Sequence, residues 1–396
     1  MNETQVNAPQ VATPAEQARP AKILMVAMKY VPDVGGIETH VKEVAARLNA
    51  RPEFDVTVLT TDISQSRPKF EVIDGVRTLR VAAYPRSRDY YFAPDIYRHI
   101  VGGDWDLVHQ QGIHTAVPPV AMLAAARAKI PYAVTFHTGG HSLGHRNALR
   151  GLQWRTLGPL LRRASALIGV SHFEAELVAR EARVPSGRVQ VIRNGGGLAP
   201  LETRPETQPG LIISSGRLVP YKGHHRVIEA LPHILESEPR ARLLILGGGD
   251  QGSNEPELRA LAEKLGVADK VEIASLPPED RTAMAEALCK ADIFVSLSEY
   301  EAHPVAVMEA LSLGCTVVGL DVAGVGELVR EGWVRGIPED ASPQDVAHAM
   351  LSAMSSGHGV DRDELPTWDT SASALTEVYQ RILARSRTAA RSDRRR

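Results

Sequence analysis

In SEYEAHPVAVMEALSLG, residues 298–314, two acids, Glu301 and Glu309, stand with seven residues between them and a proline shortly after the first. VSLS reads as a strand, SEYEAH as the loop at its carboxyl end, and PVAVMEALSLG as a helix with Pro304 in its first turn and Gly314 just past its end. The unpaired N–H groups of Val305, Ala306 and Val307 then point out of the helix start, where the backbone dipole favours an anion such as a diphosphate. Carboxylates beside such an anion repel it, so Glu301 in the loop and Glu309 about one turn inside the helix are suited to accept hydrogen bonds from hydroxyls instead. A nucleotide-sugar carries hydroxyls on both sides of its diphosphate, on the hexose and on the ribose. Glu309 falls among Val307, Met308, Ala310 and Leu311, where a solvated face is hard to draw.

Other stretches offer the charges and the close approach that such a ligand needs. Arg217 ends the strand LIISSGR and Lys222 follows by five residues, so both cations can reach one phosphate pair at a sheet edge. In PDVGGIETHVKEVA the paired Gly35 and Gly36 are more than a turn requires, and residues without a side chain let a loop come close to a phosphate. Gly247, Gly248 and Gly249 with Asp250 read equally as a strand-end turn or as a donor loop. His137 ends the strand YAVTFH. His137, His141 and His145 have a four-residue spacing that could mimic metal ligands, but Gly139, Gly140 and Gly144 argue against a helix that would bring them to one face. No Asp-x-Asp motif lies in a plausible strand-end loop, so no bound metal is expected.

Short β-branched runs alternate with amphipathic segments, the signature of a parallel sheet covered by helices, and the rhythm occurs twice. KILMVAM, DVTVLTT, VRTLRVA, DLVHQQ, YAVTFH and ALIGVS are strands of the first half, with helices such as ETHVKEVAARLNA and HFEAELVAREA between them. In the second half, LIISSGR, RLLILGG, KVEIAS, IFVSLS and TVVGLD are separated by HHRVIEALPHILES, EPELRALAEKLG, EDRTAMAEALCKA and PVAVMEALSLG. The polar, proline-punctuated ETRPETQPG between the halves reads as a linker. Two α/β domains facing across a cleft are expected, at residues 21–205 and 206–371, with a flexible tail over 1–20 and a basic tail over 386–396. In TWDTSASALTEVYQRILAR, Leu375, Val378, Tyr379, Ile382 and Leu383 share one face of an amphipathic segment.

A chain of 396 residues exceeds what one hydrophobic core usually serves. With 43% hydrophobic and 23% charged residues and a formal net charge of −2, it is a soluble globular sequence with no global electrostatic reason to bind nucleic acid. The early apolar run Ile23 to Met28 is far too short to cross a bilayer, and no cleavage-site pattern precedes it, so a cytosolic protein is expected, with peripheral membrane contact left open for the basic tail. Cys289 and Cys315 are read as buried thiols rather than a disulfide.

The combination resembles the retaining glycosyltransferases of family 4, which have the GT-B fold of two Rossmann-like domains. The resemblance rests on E-x7-E after a strand, on SSGRLVPYKG at 214–223, on LLILGGGD and DVAGVGELVREG, and, in the first half, on PDVGGIETHVKEVA, TFHTGG and VIRNGG. It spans roughly residues 22–385 and implies the following roles. Arg217 and Lys222 hold the donor diphosphate, Glu309 the ribose and Glu301 the transferred sugar. Gly35 and Gly36 approach the phosphate and His137 reaches the donor sugar from across the cleft. Gly248 joins the donor loop, His141 and Asn194 lie on the acceptor side, and residues 372–385 form a helix crossing back to the first domain. The resemblance further implies a nucleoside-diphosphate-sugar donor, UDP- or GDP-linked, a hydroxyl acceptor, no cofactor, and attack from the face of the leaving group without a dedicated base. Many members have Gly-Phe after the first acid where this chain has Ala302 and His303. Two other functions are compatible: a nucleotide-sugar epimerase of the same fold, which would change the sugar without an acceptor, and a binding protein that keeps the donor site without chemistry.

Overall fold

The computed structural model describes residues 19–33, 35–85, 91–138, 144–198, 201–247, 253–277, 280–357 and 359–393. Two sheets organise the chain. The first contains Ala21–Val26 (β1), Phe54–Asp62 (β2), Phe70–Ile73 (β3), Val76–Ala82 (β4), Leu107–Gln111 (β5), Tyr132–Thr135 (β6), Ala166–Gly169 (β7) and Val189–Val191 (β8). Its order is β3-β4-β2-β1-β5-β6-β7-β8, parallel throughout except for the antiparallel β3–β4 pair. Six strands form the second sheet: Leu211–Ser215 (β9), Arg242–Leu246 (β10), Val271–Ala274 (β11), Ile293–Ser296 (β12), Thr316–Leu320 (β13) and Arg335–Ile337 (β14). They are parallel, in the order β11-β10-β9-β12-β13-β14. The chain reverses direction across each sheet at β1/β5 and at β9/β12, and loops at the carboxyl ends of strands beside such a switch are where open α/β sheets hold ligands.

Central strands are apolar on both faces because helices cover both. Ile23 pairs with Val56 on one side and Leu107 on the other, and Ile23, Leu24, Met25 and Val26 are fully buried. The foreseen strands all form. Three short ones, β3, β8 and β14, are additional, and each lies at a sheet edge where pairing on one side alone leaves little hydrophobic pattern to read. Phe70 and Val72 of β3 are more than half exposed.

Two helices, Asp95–Val101 and Gly144–Arg163, were not foreseen. The second begins at Gly144, so it holds His145 but not His137, and His141 lies outside the described residues. An internal glycine costs about 1 kcal/mol, and burial of Trp154, Leu157 and Leu161 in the first domain's core outweighs that. The last helix, Trp368–Asp393, starts before the expected residue 372 and continues through most of the stretch whose composition predicts a tail. Its alanines and arginines are good helix formers that extend turns already anchored by packing. Trp368, Ala372, Leu375, Val378, Tyr379 and Ile382 join the core of the first sheet, with Met25, Val41 and Phe54. Val305 of the second half belongs to the same cluster, so the two halves share apolar packing at the mouth of the cleft. Cys289 and Cys315 are buried free thiols.

Candidate active site

Three loops at the carboxyl ends of strands in the second sheet build one side of the cleft. After β9 the chain turns through Gly216 and Arg217 into a single 3₁₀ turn, Pro220–Lys222, and then into the helix His224–Ser237. Gly223 joins them at φ 72°, with no room for a Cβ against the carbonyl of Leu297, so this turn requires glycine. Lys222 Nζ forms an ion pair with Glu301 Oε1, the two side chains being 18% and 17% exposed. Arg217 bonds the hydroxyl of Tyr221 and lies 5.8 Å from that ring's centre, and Tyr221 stacks on Tyr300 at 4.3 Å. The stack and the bond from Glu299 N to the Tyr221 carbonyl (2.9 Å) tie the cationic turn to the acid loop.

Glu301 is held from behind. Gly324 N donates to its carbonyl at 2.9 Å, and a Cβ on Gly324 would collide with the carbonyl of Ala302, so DVAGVGELVREG matters here through close backbone approach. The helix Val305–Ser312 follows, its first described internal bond running from Met308 N to the Pro304 carbonyl (3.2 Å), with Val305, Ala306 and Val307 in the first turn where amides face outward. Glu309 is buried at 4% exposure and pairs with Arg281, the first residue of the helix Arg281–Lys290 after β11. Burial pushes its carboxyl above the usual range, and the Arg281 guanidinium pulls the other way.

From the first domain, the helix Gly36–Asn49 points its start at the same place: a Cβ on Gly36 would sit 3.7 Å from Val305 Cγ2. Two helix N-termini therefore converge, each favouring negative charge. Glu38 folds its carboxylate over Gly35, and burial raises its carboxyl, with Lys29 and Arg217 among the charges that oppose the rise. His137 is half-buried, its Nε2 3.0 Å from Gln111 Oε1 and its ring 4.7 Å from that of His40. Burial, reinforced by the neighbouring His40, holds His137 neutral, far below the ordinary imidazole range.

The structure thus pairs Lys222 with Glu301, ties Arg217 to the acid loop through Tyr221 and Tyr300, and sets Gly36 against Val305, in whose helix Glu309 lies; His137 stands in the first domain beside His40 and Gln111. Asn194, expected on the acceptor side, is instead a strut between domains. It is 3% exposed, with Oδ1 2.9 Å from His40 Nδ1 and Nδ2 donating to the His303 carbonyl at 2.8 Å, so the protein occupies both ends of its amide. Gly248 and His141 lie outside the described residues. His224, the first residue of the helix after Lys222, is buried and 2.9 Å from Ser214 Oγ. Among the described residues no group of three or more His, Cys, Asp or Glu side chains is placed to hold a metal ion.

Sequence reasoning missed Arg281 and Glu38. Arg281 had a signal, a cation opening a helix at the same sheet edge as Arg217, but nothing in the sequence shows that it meets Glu309. A second interdomain contact was also missed: Glu327 accepts from Phe173 N at 3.1 Å and pairs with Arg193 at 2.8 Å.

The family model described as Glycosyl transferase 4-like domain matches residues 35–195, and the one described as Glycosyl transferases group 1 matches residues 201–365. Over 383 residues the chain is 27% identical to the GDP-mannose:cellobiosyl-diphosphopolyprenol alpha-mannosyltransferase of Komagataeibacter xylinus, covering 92% of this chain and 94% of that protein. It is 29% identical to a glycogen synthase of Mycobacterium tuberculosis, covering 90% and 94%. Among solved structures, a glycosyltransferase from Rickettsia africae superposes with a TM-score of 0.67 at 16% identity, covering 92% of this chain and 99% of that one. Anabaena HepE in complex with UDP gives 0.65 at 19% identity, covering 93% and 100%. At those identities the structural likeness speaks for the fold, and the matched family models span both halves of the site. The chain belongs to the GT-B glycosyltransferases of the family 4 type.

Proposed function

We propose that the chain is a retaining, metal-independent glycosyltransferase that moves a hexose from a UDP- or GDP-sugar to a hydroxyl acceptor. The observation that carries this reading is the meeting of the Lys222–Glu301 pair with two helix starts, at Val305 and at Gly36, on one spot in the cleft. A nucleoside diphosphate placed there has its phosphates against Arg217, Lys222 and the amides of Val305, Ala306 and Val307, which together supply the positive charge that a leaving diphosphate needs. Glu301 takes the hydroxyls of the transferred sugar and Glu309 those of the ribose. His137 is neutral and faces the sugar from the first domain, suited to hydrogen bonding rather than to charge. The departing phosphate oxygen receives the acceptor's proton on the face it leaves, so no separate base is assigned.

The acceptor is a hydroxyl on a sugar, a lipid-linked carrier or a small molecule. The mannosyltransferase relative is named for a polyprenol-linked acceptor. No helix among the described residues is long and apolar enough to cross a membrane. The test begins with a thermal-shift screen of UDP-, GDP- and dTDP-sugars, where a donor at a hundred times its dissociation constant adds about 2.7 kcal/mol. Proton NMR of the product formed with that donor, in excess chelator, should show the donor's anomeric configuration. An inverted product, or activity abolished by chelator and restored by Mg²⁺, overturns the reading.

A further inference from the structure

Glu309 is almost wholly buried, yet the cation that meets it is not. Its neighbours in the core are Val307, Met308 and Leu311, while the Arg281 side chain is 33% exposed at the rim of the site. The pair joins two different helices at the sheet edge, one after β11 and one after β12. Asp280 accepts a bond from Ala283 N at 2.8 Å as the cap of the helix that Arg281 begins, which fixes the guanidinium's point of origin. The contact to Glu309 uses Nη2 and a single carboxylate oxygen, Oε1. A carboxylate held through one oxygen keeps lone pairs on the other for a hydroxyl donor. Because burial works against ionisation of Glu309, a carboxyl without that guanidinium would take a proton more readily, and a protonated acid is a poorer acceptor.

We infer that Arg281 is a positioning residue for the donor's ribose: it fixes the edge of the Glu309 carboxylate that receives the 2′- and 3′-hydroxyls. The inference rests on reading Glu309 as the ribose ligand. It assigns to the loop after β11 a part in recognising the sugar of the nucleotide, distinct from the phosphate contacts of Arg217 and Lys222.

The experiment is calorimetric titration of UDP and GDP, and of their 2′,3′-dideoxy counterparts, into the full chain and its Arg281→Met and Arg281→Lys variants. The wild type should bind the ribonucleotide better than the dideoxy form. Arg281→Met should weaken ribonucleotide binding by about ten-fold or more, the scale of one charged hydrogen bond, and leave dideoxy binding within about two-fold. Arg281→Lys should recover part of the loss. Equal weakening toward both nucleotides would mean a phosphate contact or a damaged fold, and would overturn the inference while leaving the donor site standing. Unchanged or tighter ribonucleotide binding in Arg281→Met would overturn it as well. A wild type that binds no nucleoside diphosphate at all would bring down both this inference and the proposed function.

Discussion

Lys222 and Glu301 form a pair less than a fifth exposed, so removing one partner strands the other in a poorly solvated place. On the proposed function, negative charge grows on the donor diphosphate as it leaves, and the Lys222 ammonium would stabilise the transition state more than the ground state. Lys222→Ala should therefore lower turnover more than it raises the donor KM, at a cost of about 2–5 kcal/mol in kcat/KM, and a kinetically silent variant would refute the leaving-group role. Glu309→Ala should act mainly on donor affinity, since a ribose contact is nearly the same before and during reaction. These residues were legible because parallel sheets place the ends of their strands at one edge, so a cation or acid just after a strand has a known address. Their partners were not legible. Whether Glu309 meets Arg281, or Asn194 meets His40 and His303 rather than an acceptor, depends on loops and a domain joint far apart in sequence.

Elements set those addresses by backbone contact as much as by side chains. Gly324→Ala places a methyl against the carbonyl of Ala302 and disturbs the bond from Gly324 N to the Glu301 carbonyl. Overpacking of this kind costs about 1–3 kcal/mol, so the variant should remain folded by calorimetry while its turnover falls by an order of magnitude or more; wild-type turnover would show that this approach does not position Glu301. The helix Trp368–Asp393 is a second such support. Tyr379 is fully buried with its hydroxyl 2.6 Å from His109 Nδ1, so Tyr379→Phe should leave that buried nitrogen only the longer contact to Gln111 Nε2 at 3.4 Å and lower unfolding stability by about 1–3 kcal/mol in urea titrations. Ending the chain at residue 370 removes Leu375, Val378, Tyr379 and Ile382 from the first core, and the product should aggregate. A stable, active truncation would contradict that role. Central strands announced themselves through continuous apolar runs. Edge strands and the glycine-containing helix Gly144–Arg163 did not, because tertiary burial rather than local preference decides them.

Five of the described imidazoles are held neutral by burial, several of them where the halves meet. Burial lowers His40 and His224 to about 4, and His109 and His303 to about 3, and it holds His137 low as well. In the unfolded chain each takes a proton near pH 6.5. Below that value the unfolded state binds more protons than the folded one, and each histidine withdraws up to ~1.4 kcal/mol per pH unit until its own folded pKa is reached. One buried carboxyl works in the opposite sense: Glu174, raised to about 8 chiefly by burial. Between roughly pH 8 and 6.5 it binds a proton in the folded state alone, so stability should rise slightly on acidification. Below about 6.5 the five histidines outweigh it and stability should fall, with the optimum near pH 6.5 and a steep loss toward pH 4. His40 and His303 lie on either side of Asn194, so this acid loss falls partly on the joint between the domains. Urea midpoints measured from pH 8 to pH 4 check the prediction, and His303→Gln should make the acid limb shallower by about one histidine's share. Midpoints that stay level or climb from pH 6.5 down to 5 would mean that these imidazoles are not held neutral in the fold.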